Sequence, residues 1–551
     1  MLGIALTLPS VQTKIAHYFT EKLNTDFGTK INIEQVEVTI FGGVKLKKVL
    51  VLDHHNDTLI ASKLINTTIL DVWKNKASKF EFSTIRADAL TLNIKTYKNE
   101  KQSNFDKFIA SFEKDTIKSK TKFLLISKKI FLKNAHFSIS DENKINKKSL
   151  DLTKINGSIS DFKVFGPEVF ANIEELSLKE RHGLVVENLK TKFTYTKKNI
   201  KLEDLDLITE NSKFKGEINL SHKLNDFNDF NNKVVFDITS KEALIASNDI
   251  RFFYDELGKN QTFDLKAKIH GTLNNLKFNN LHLKDNNKTE IIGDVLFKNL
   301  AQKQNQGNFY MKGNFKKVAS SYQNLITLLP NILGKKLPTS LKKIGQFNLI
   351  GKTEISSKTI DADFKLSTAL GLVQSKLLMT NIDNIDNANY NGKIDLQNFD
   401  LGTFLNRKEL GRVTLNLDVD GKGFTEKYLK TSFSGDIKSI RYNNYTYQNI
   451  SADGNFKKPN FEGTVVVNDP NLKLNFDGLI NLGKKEYICD FKAEVAYANL
   501  RKLNFVTENV SVFKGDIVMN ASGSSLANAK GEVILNNASY QNTKSTYKFD
   551  Y

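Results

Sequence analysis

One cysteine, Cys489, in 551 residues excludes an intrachain disulfide and any cysteine-based zinc cluster. It leaves the compartment open, because proteins outside the cytoplasm need not use disulfides. Only 6 prolines occur, which excludes a proline-rich stalk or linker. Tryptophan occurs once, at Trp73. The apolar opening, Met1 to Pro9, falls far short of the ~20 residues a membrane-spanning helix needs. No basic segment precedes it, so it is not a complete signal peptide, and it reads as the tail of a membrane anchor. Helical periodicity is almost missing as well. It shows at Val11, Ile15, Phe19 and Leu23, with Ser10 suited to cap that helix, and at Phe105, Phe108, Ile109 and Phe112. A third stretch runs from about Ser320 to Leu333, is interrupted at Pro330, and resumes weakly between Pro338 and Ile344.

Apolar material is plentiful. Hydrophobic residues make up 40% of the chain, and 39 positions are Phe, enough for a core or a greasy surface. Basic residues outnumber acidic ones by 80 to 61, a net charge of +19. Such a surplus fits an anionic partner. The lysines are spread along the whole chain rather than gathered in one arm, which favours a compositional origin.

Almost everything else alternates with period two, the mark of strands with one apolar and one polar face. Val413, Leu415, Leu417 and Val419 alternate with polar residues, and so do Phe263, Leu265, Ala267 and Ile269. Leu90, Leu92 and Ile94 form a third run, and Leu472, Leu474 and Phe476 a fourth.

A second spacing recurs: apolar-x-apolar-x-x-apolar-x-apolar. It occurs at Val44, Leu46, Val49 and Val51, and at Ile130, Leu132, Ala135 and Phe137. It returns at Ile200, Leu202, Leu205 and Leu207, and at Leu276, Phe278, Leu281 and Leu283. Ile394, Leu396, Phe399 and Leu401 make a further copy, as do Val533, Leu535, Ala538 and Tyr540. The central pair is polar each time, from Lys47-Lys48 to Asn536-Asn537. In a straight strand the three-residue step would throw the second apolar pair onto the opposite face. A β-bulge at the polar pair keeps all four together, and so does a two-residue hairpin turn. The spacing alone fits both. Glycines 411, 421 and 435 precede glycines 515, 523 and 531 by about a hundred residues, a loose sign of duplication.

A sheet with one apolar face must cover it, and these helices are too few to do so. The pattern therefore predicts a mainly β protein: an elongated, curled, repetitive sheet with a few short helices. If its walls touch, it is a sandwich; if they stand apart, it is a trough that something apolar must fill. At about 12 residues per strand and turn, on the order of 40 to 45 strands would stack to roughly 200 Å.

Some segments resemble a known family. Leu8-Pro-Ser-Val-Gln-Thr-Lys-Ile15, Leu23-Asn-Thr-Asp-Phe-Gly28 and Ile31-Asn-Ile-Glu-Gln-Val36 look like the membrane-proximal start of TamB proteins. These are translocation and assembly module subunits of the AsmA-like family, here of the Bacteroidetes type. Phe41-Gly-Gly-Val-Lys-Leu46 and Val51-Leu-Asp-His-His-Asn-Asp-Thr-Leu59 fit the same pattern. Leu329-Pro-Asn-Ile-Leu-Gly-Lys-Lys-Leu-Pro338 resembles the helical interruption of AsmA-like chains. The resemblance is specific in the first sixty or so residues and elsewhere is one of repeat style. It implies a hydrophobic groove (the β-taco fold) held in the inner membrane of a bacterial envelope and crossing the periplasm. Its implied roles are phospholipid transport toward the outer membrane and translocation or assembly of outer-membrane proteins. The implied partners are phospholipid acyl chains, the inner membrane through the anchor, and an outer-membrane protein of the Omp85 type. That last partner would meet a carboxyl-terminal domain beyond Tyr551, so the sequence reads as the amino-terminal portion of such a protein. The expected division is 1–27 (anchor remnant and capping helix), 28–315 (first groove part), 316–345 (helical interruption) and 346–551 (second groove part).

Chemical motifs are sparse. Gly345-Gln-Phe-Asn-Leu-Ile-Gly-Lys-Thr353 has five residues between its glycines where a phosphate-binding loop needs four, and its interior alternates like a strand. His54-His55 between Asp53 and Asp57 invites a metal, but neighbours on a strand point to opposite faces, and a polar turn fits better. The expectation is no catalytic site, no metal and no cofactor. Nucleic-acid binding is not expected, because the aromatics mostly keep phase with the buried set. The candidate groove residues are the four alternating runs, Ala267 excepted, and four copies of the spacing, those beginning at Val44, Ile200, Leu276 and Ile394. The alternative reading is a structural β-repeat protein, adhesin-like, without lipid cargo.

Overall fold

In the computed structural model the described residues are 8–38, 43–69, 79–112, 114–116, 119–143, 148–223, 226–252, 257–300, 309–328, 330, 339–423, 428–457, 459–481, 487–524 and 528–549. The fold is mainly β: of the described residues, 69% are in strands and 12% in helices. Of the 31 described strands, 29 belong to the curled, mostly antiparallel main sheet and two form a small hairpin. The strands are longer than the sequence estimate assumed, up to 18 residues, so there are fewer of them. Two compact units divide the chain, 1–280 and 281–551.

The first unit opens with helix α1 (Pro9–Phe27), which ends at Gly28 in the left-handed conformation at φ 62°. The expected Ser10 cap is not formed. Pro9 already occupies the first turn, where its fixed φ and missing N–H cost nothing, so the helix starts before Ser10. Next come β1 (Lys30–Val38), β2 (Gly43–Leu52), β3 (Thr58–Ile69), β4 (Lys79–Asp88) and β5 (Thr91–Thr96). Helix α2 (Asn104–Ser111) and the hairpin β6 (Lys114–Thr116) and β7 (Ser119–Thr121) follow. The unit continues with β8 (Leu124–Asp141), β9 (Lys148–Phe165), β10 (Glu168–Glu180), β11 (Val185–Tyr195) and β12 (Asn199–Thr209). β13 (Lys213–Ser221), β14 (Val235–Ala246) and β15 (Thr262–Thr272) complete the run before β16 (Asn275–Asp285).

α1 lies against β1 and replaces a neighbouring strand with side chains. The Gln12 amide donates to Val38 O (2.8 Å) and accepts from Val38 N (2.6 Å). Asn24 does the same with Ile31, at 2.9 and 2.8 Å, and the Thr13 hydroxyl bonds both the N–H and the carbonyl of Val36. The free edge of β1 is thereby sealed, as the sequence led us to expect of this helix.

β4 and β5 both pair antiparallel with β3 and parallel with β8, so they are two halves of one strand broken at Ala89. A parallel return needs a crossover, and α2 supplies it. Ser103 and Asp106 form a capping box at its start. The helical periodicity around Phe105 corresponds to α2, whose Ile109 and the following Phe112 pack with Phe27, Phe123 and Val164.

The second unit contains β17 (Glu290–Lys298), β18 (Tyr310–Ser321), helix α3 (Tyr322–Leu328), β19 (Gln346–Ser356), β20 (Thr359–Thr368), β21 (Gly371–Thr380) and β22 (Asn389–Asp400). After helix α4 (Leu401–Leu405) come β23 (Leu410–Lys422), β24 (Lys430–Tyr442), β25 (Tyr445–Lys457), β26 (Asn460–Asp469) and β27 (Leu472–Asn481). β28 (Tyr487–Asn499), β29 (Ser511–Gly523), β30 (Lys530–Asn542) and β31 (Thr546–Phe549) end it. Of the segment 316–345 expected as a helical interruption, residues 316–321 still belong to β18; helix is formed at α3 and in a tight helical turn at Thr339–Ile344, and residues 329 and 331–338 lie outside the described set. The glycine-rich near-miss of a phosphate loop is strand β19.

The recurring spacing is a bulge, not a hairpin. All six polar pairs lie inside continuous strands: β2, β8, β12, β16, β22 and β30. The second residue of each pair is left-handed: Lys48 (φ 51°), Asn134 (48°), Asp204 (51°), Asn280 (51°), Asn398 (48°) and Asn537 (50°). The residue that follows is buried every time, as Val49, Ala135, Leu205, Leu281, Phe399 and Ala538. One extra residue restores the phase, so both apolar pairs face one side. Four further copies share the geometry, at Ala89, Lys154, Asp161 and Asn449. Seven of the ten left-handed residues are Asn or Asp, the types that tolerate this conformation best after glycine.

Candidate functional site

The bulges are aligned from strand to strand. The Ser62 hydroxyl on β3, beside the β2 bulge, donates to Asp88 O at the break between β4 and β5 (2.9 Å). Ala89 N donates to Lys133 O at the β8 bulge (2.9 Å), and Asn134 N reaches the Asn156 side chain on β9 (2.8 Å). Buried Thr191 on β11 donates to Glu203 O at the β12 bulge (2.8 Å). A row of extra residues thus crosses the first unit as a bend, with the polar pairs outside and the apolar flanks in the inner angle.

That inner angle holds a cavity of about 330 Å³. Its lining comes from both arms of the bent strands: Leu132 and Phe137 of β8, Leu152 and Ile155 of β9, Ile173, Leu176 and Leu178 of β10, Leu189 and Phe193 of β11. Leu90, Leu92, Ala135 and Leu202 complete its apolar part, and the polar lining residue His136 is engaged by Asp151 Oδ1 at 2.7 Å. The volume is at the lower end of the ~300–1,000 Å³ typical of small-molecule sites. Apart from His136 the lining is apolar throughout.

The second unit differs. Over β19 to β23 the apolar face is covered by Leu325 of α3, Leu341 and Ile344 of the 339–344 turn, and Leu401 and Phe404 of α4. These pack on Phe347, Leu370, Phe399 and Val413, the last fully buried. Further along, Phe433, Phe461, Phe476 and Phe491 form a ladder of rings 5.2 to 6.2 Å apart. A larger hollow of about 560 Å³ over β21 to β24 is lined by polar groups such as Asn391, Asp420, Lys422 and Lys430. It does not suit an acyl chain.

Comparison with family models, curated proteins and solved structures returns no match.

The candidate groove residues are distributed as follows. Leu90, Leu92 and Leu202 meet in the cavity. Leu396, Phe399, Leu401, Val413 and Leu415 share the covered cluster of the second unit, and Leu472 and Leu474 pack with Tyr447, Val495 and Leu503. Val49, Val51, Leu205, Phe263, Leu276, Leu281 and Phe476 are buried on their own strands. Val44, Leu46, Ile94, Ile200, Leu207, Leu265, Ile269, Phe278, Leu283, Ile394, Leu417 and Val419 are half-buried. The sequence reading omitted Leu152, Ile155, Ile173, Leu176, Leu178, Leu189 and Phe193. Its own spacing could have found several of them. Leu150, Leu152, Ile155 and Gly157 obey it once glycine is admitted, and so do Ala171, Ile173, Leu176 and Leu178.

The His54-His55 pair does sit on a turn, between β2 and β3, with Asn56 left-handed at φ 63°. Asp53 builds that turn: its Oδ1 accepts from His55 N and Asp57 N, both at 2.9 Å. Its Oδ2 accepts from the Tyr97 hydroxyl (2.7 Å) and the Asn104 amide (2.9 Å). Burial works to raise the Asp53 carboxyl, but these donors outweigh it and hold it below the usual carboxylate range. Burial, then Asp53 and Asp57, push the Tyr97 hydroxyl far upward, so it stays a donor. The divergence expected of neighbours on a strand does not apply on a turn. Both imidazoles reach Glu100, which follows β5: His54 Nε2 is 3.0 Å from its Oε2 and His55 Nε2 is 2.9 Å from its Oε1. Lys107 of α2, 2.8 Å away, then His55 and His54, hold the Glu100 carboxyl down at about 2.

Proposed function

We propose that this chain is a non-enzymatic hydrophobic-groove protein that holds phospholipid acyl chains along the inner angle of its bent sheet. The observation that carries this reading is the cavity whose walls are aliphatic and aromatic side chains from strands β8 to β12. Burying alkyl surface there would contribute ~25 cal/mol per Å², while headgroups would stay in water at the rim. The action is passive, with tails entering and sliding and no bond made or broken. The resemblance of residues 8–59 to TamB chains supports placing this activity in a bacterial envelope, in lipid traffic toward the outer membrane or in outer-membrane protein assembly. On that reading the acyl chains are the cargo, and the inner membrane and an Omp85-type protein are the partners.

A second reading is favoured by a specific observation. The inner face over β19 to β23 is filled by α3, the 339–344 turn and α4, as a purely structural β-repeat protein would require.

The test is to purify the full 551-residue chain from a bacterial host and measure bound lipid by mass spectrometry. Phospholipid should accompany the wild type and fall several-fold in Leu178→Asp, a half-buried cavity position. Wild-type protein free of lipid would rule out cargo binding and leave the structural reading.

A further inference from the structure

We infer that His54, His55 and Glu100 form a divalent transition-metal site, suited to Zn²⁺, that staples the β2–β3 turn to the segment following β5. Among the described residues these three bring two imidazoles and a carboxylate together, with ligand atoms all within 4.8 Å of one another. Bonds of 2.0–2.2 Å in a tetrahedron place ligands roughly 3.3–3.6 Å apart. The imidazole-to-carboxylate separations are 2.9 to 3.1 Å, a few tenths of an ångström under that spacing. Two neutral imidazoles and one carboxylate match the borderline character of zinc, with water as the fourth ligand.

The site is also built in advance. Asp53, 4% exposed, and Asn104, 1% exposed, fix the turn from beneath. The Tyr97 ring lies 3.8 Å from the His55 ring, centroid to centroid, and restricts its rotation. Such outer groups, which orient ligands without touching the ion, separate a metal site from a chance cluster. A cation already occupies the place. The Lys107 ammonium lies 3.0 Å from His54 Nε2 and 2.8 Å from Glu100 Oε2, with a side chain 35% exposed and free to swing into water. Zinc would displace that ammonium, and the cross-link would join residues 46 positions apart in sequence.

Zn²⁺ is titrated calorimetrically into the chelator-treated 551-residue chain, with the bound metal examined by X-ray absorption at the zinc edge. One saturable equivalent with two imidazole ligands is expected. Affinity should fall about 10-fold or more in His54→Ala and in Glu100→Gln, as for loss of any ligand or its support. Lys107→Ala should bind more tightly than the wild type, because no ammonium has to leave; a mere ion-pair cluster would lose stability there without gaining metal. Absence of a saturable equivalent in the wild type overturns the site, and so does binding undiminished in both ligand variants. The histidine variants change an exposed turn, and circular dichroism verifies that they keep the strand content.

Discussion

Asn398 offers the cleanest test of the bulge as the element that bends each strand. Its side chain is exposed, so replacing it removes no buried packing. Its backbone bonds, N–H to the Thr414 hydroxyl at 3.1 Å and carbonyl to Arg412 at 2.6 Å, survive any non-proline substitution. What changes is the residue's tolerance of φ 48°. A left-handed conformation costs an ordinary L-residue ~1–2 kcal/mol, glycine almost nothing and asparagine an intermediate amount. A β-branched side chain stands at the costly end. Asn398→Val should therefore destabilise the β22–β23 region by about 1–2 kcal/mol, and Asn398→Gly should leave it within about 0.5 kcal/mol of wild type. The control is Lys393→Val, an exposed position in the same strand with extended backbone. Valine there should be neutral or mildly favourable, since it suits a pleated strand. A long array unfolds piecemeal, so the readout is native-state hydrogen exchange of peptides spanning residues 389–423 rather than one global midpoint. Equal protection in the valine and glycine variants would refute a left-handed residue at 398 and, with it, the assignment of the whole spacing to bulges.

Two further outcomes follow from the edge and from the charges. Gln12→Ala removes two hydrogen bonds to Val38, worth ~0.5–1.5 kcal/mol each. It also exposes unpaired backbone on β1, so light scattering should show concentration-dependent association absent in the wild type; a variant that stays monodisperse would mean α1 does not protect that edge. Lys317, with His282, holds the Glu290 carboxyl at about 2, below its ordinary 4.5. The folded value is depressed, so its contribution is complete above the ordinary value and is lost as pH falls toward 2. Native-state hydrogen-exchange protection of peptides spanning residues 290–321 should fall further across that window in the wild type than in Glu290→Gln; parallel losses would show that the pair carries no net stabilisation.

The strands were legible because period two is a direct consequence of the pleat. β15 shows it from Phe263 to His270, with Phe263 and Ala267 buried and Asp264, Lys266 and Lys268 exposed, and β23 shows it from Leu415 onward, with Asn416, Asp418 and Asp420 exposed. β5 does not: all its residues are half-buried, because Asn104 of α2 bonds Lys95 N and Asn93 O across its outer side. The choice between bulge and hairpin was not legible, because both put the same four side chains on one face. Backbone φ at the polar pair was needed, and the Asn and Asp enrichment there is an equal signal for turns. Ser10 misled because the cap rule competes with proline's preference for the first turn, and Pro9 won. Glu100 lies 46 residues from His54, and its approach depends on how a turn faces a helix start, which no local pattern encodes.

The same spacing gives opposite results in the two units, and this limits what the repeat itself can determine. In β8 the bulge at Asn134 leaves Leu132 and Phe137 lining an open cavity. In β22 the bulge at Asn398 brings Leu396 and Phe399 into an equivalent inner angle, but Leu401 and Phe404 follow immediately and fold back into it. The difference lies beyond the shared motif. After β22 the chain turns into a five-residue helix capped by Asp400, whose carboxylate accepts from Thr403 N, and that helix delivers Phe404 to within 5.6 Å of Phe399, ring to ring. The bulge supplies the angle, and whatever follows the strand decides whether the angle is filled. Whether the inner angle is open or filled is therefore set by the insertions after each strand, and removing the apolar side chain of Phe404 should open the second unit where altering the repeat would only unfold it.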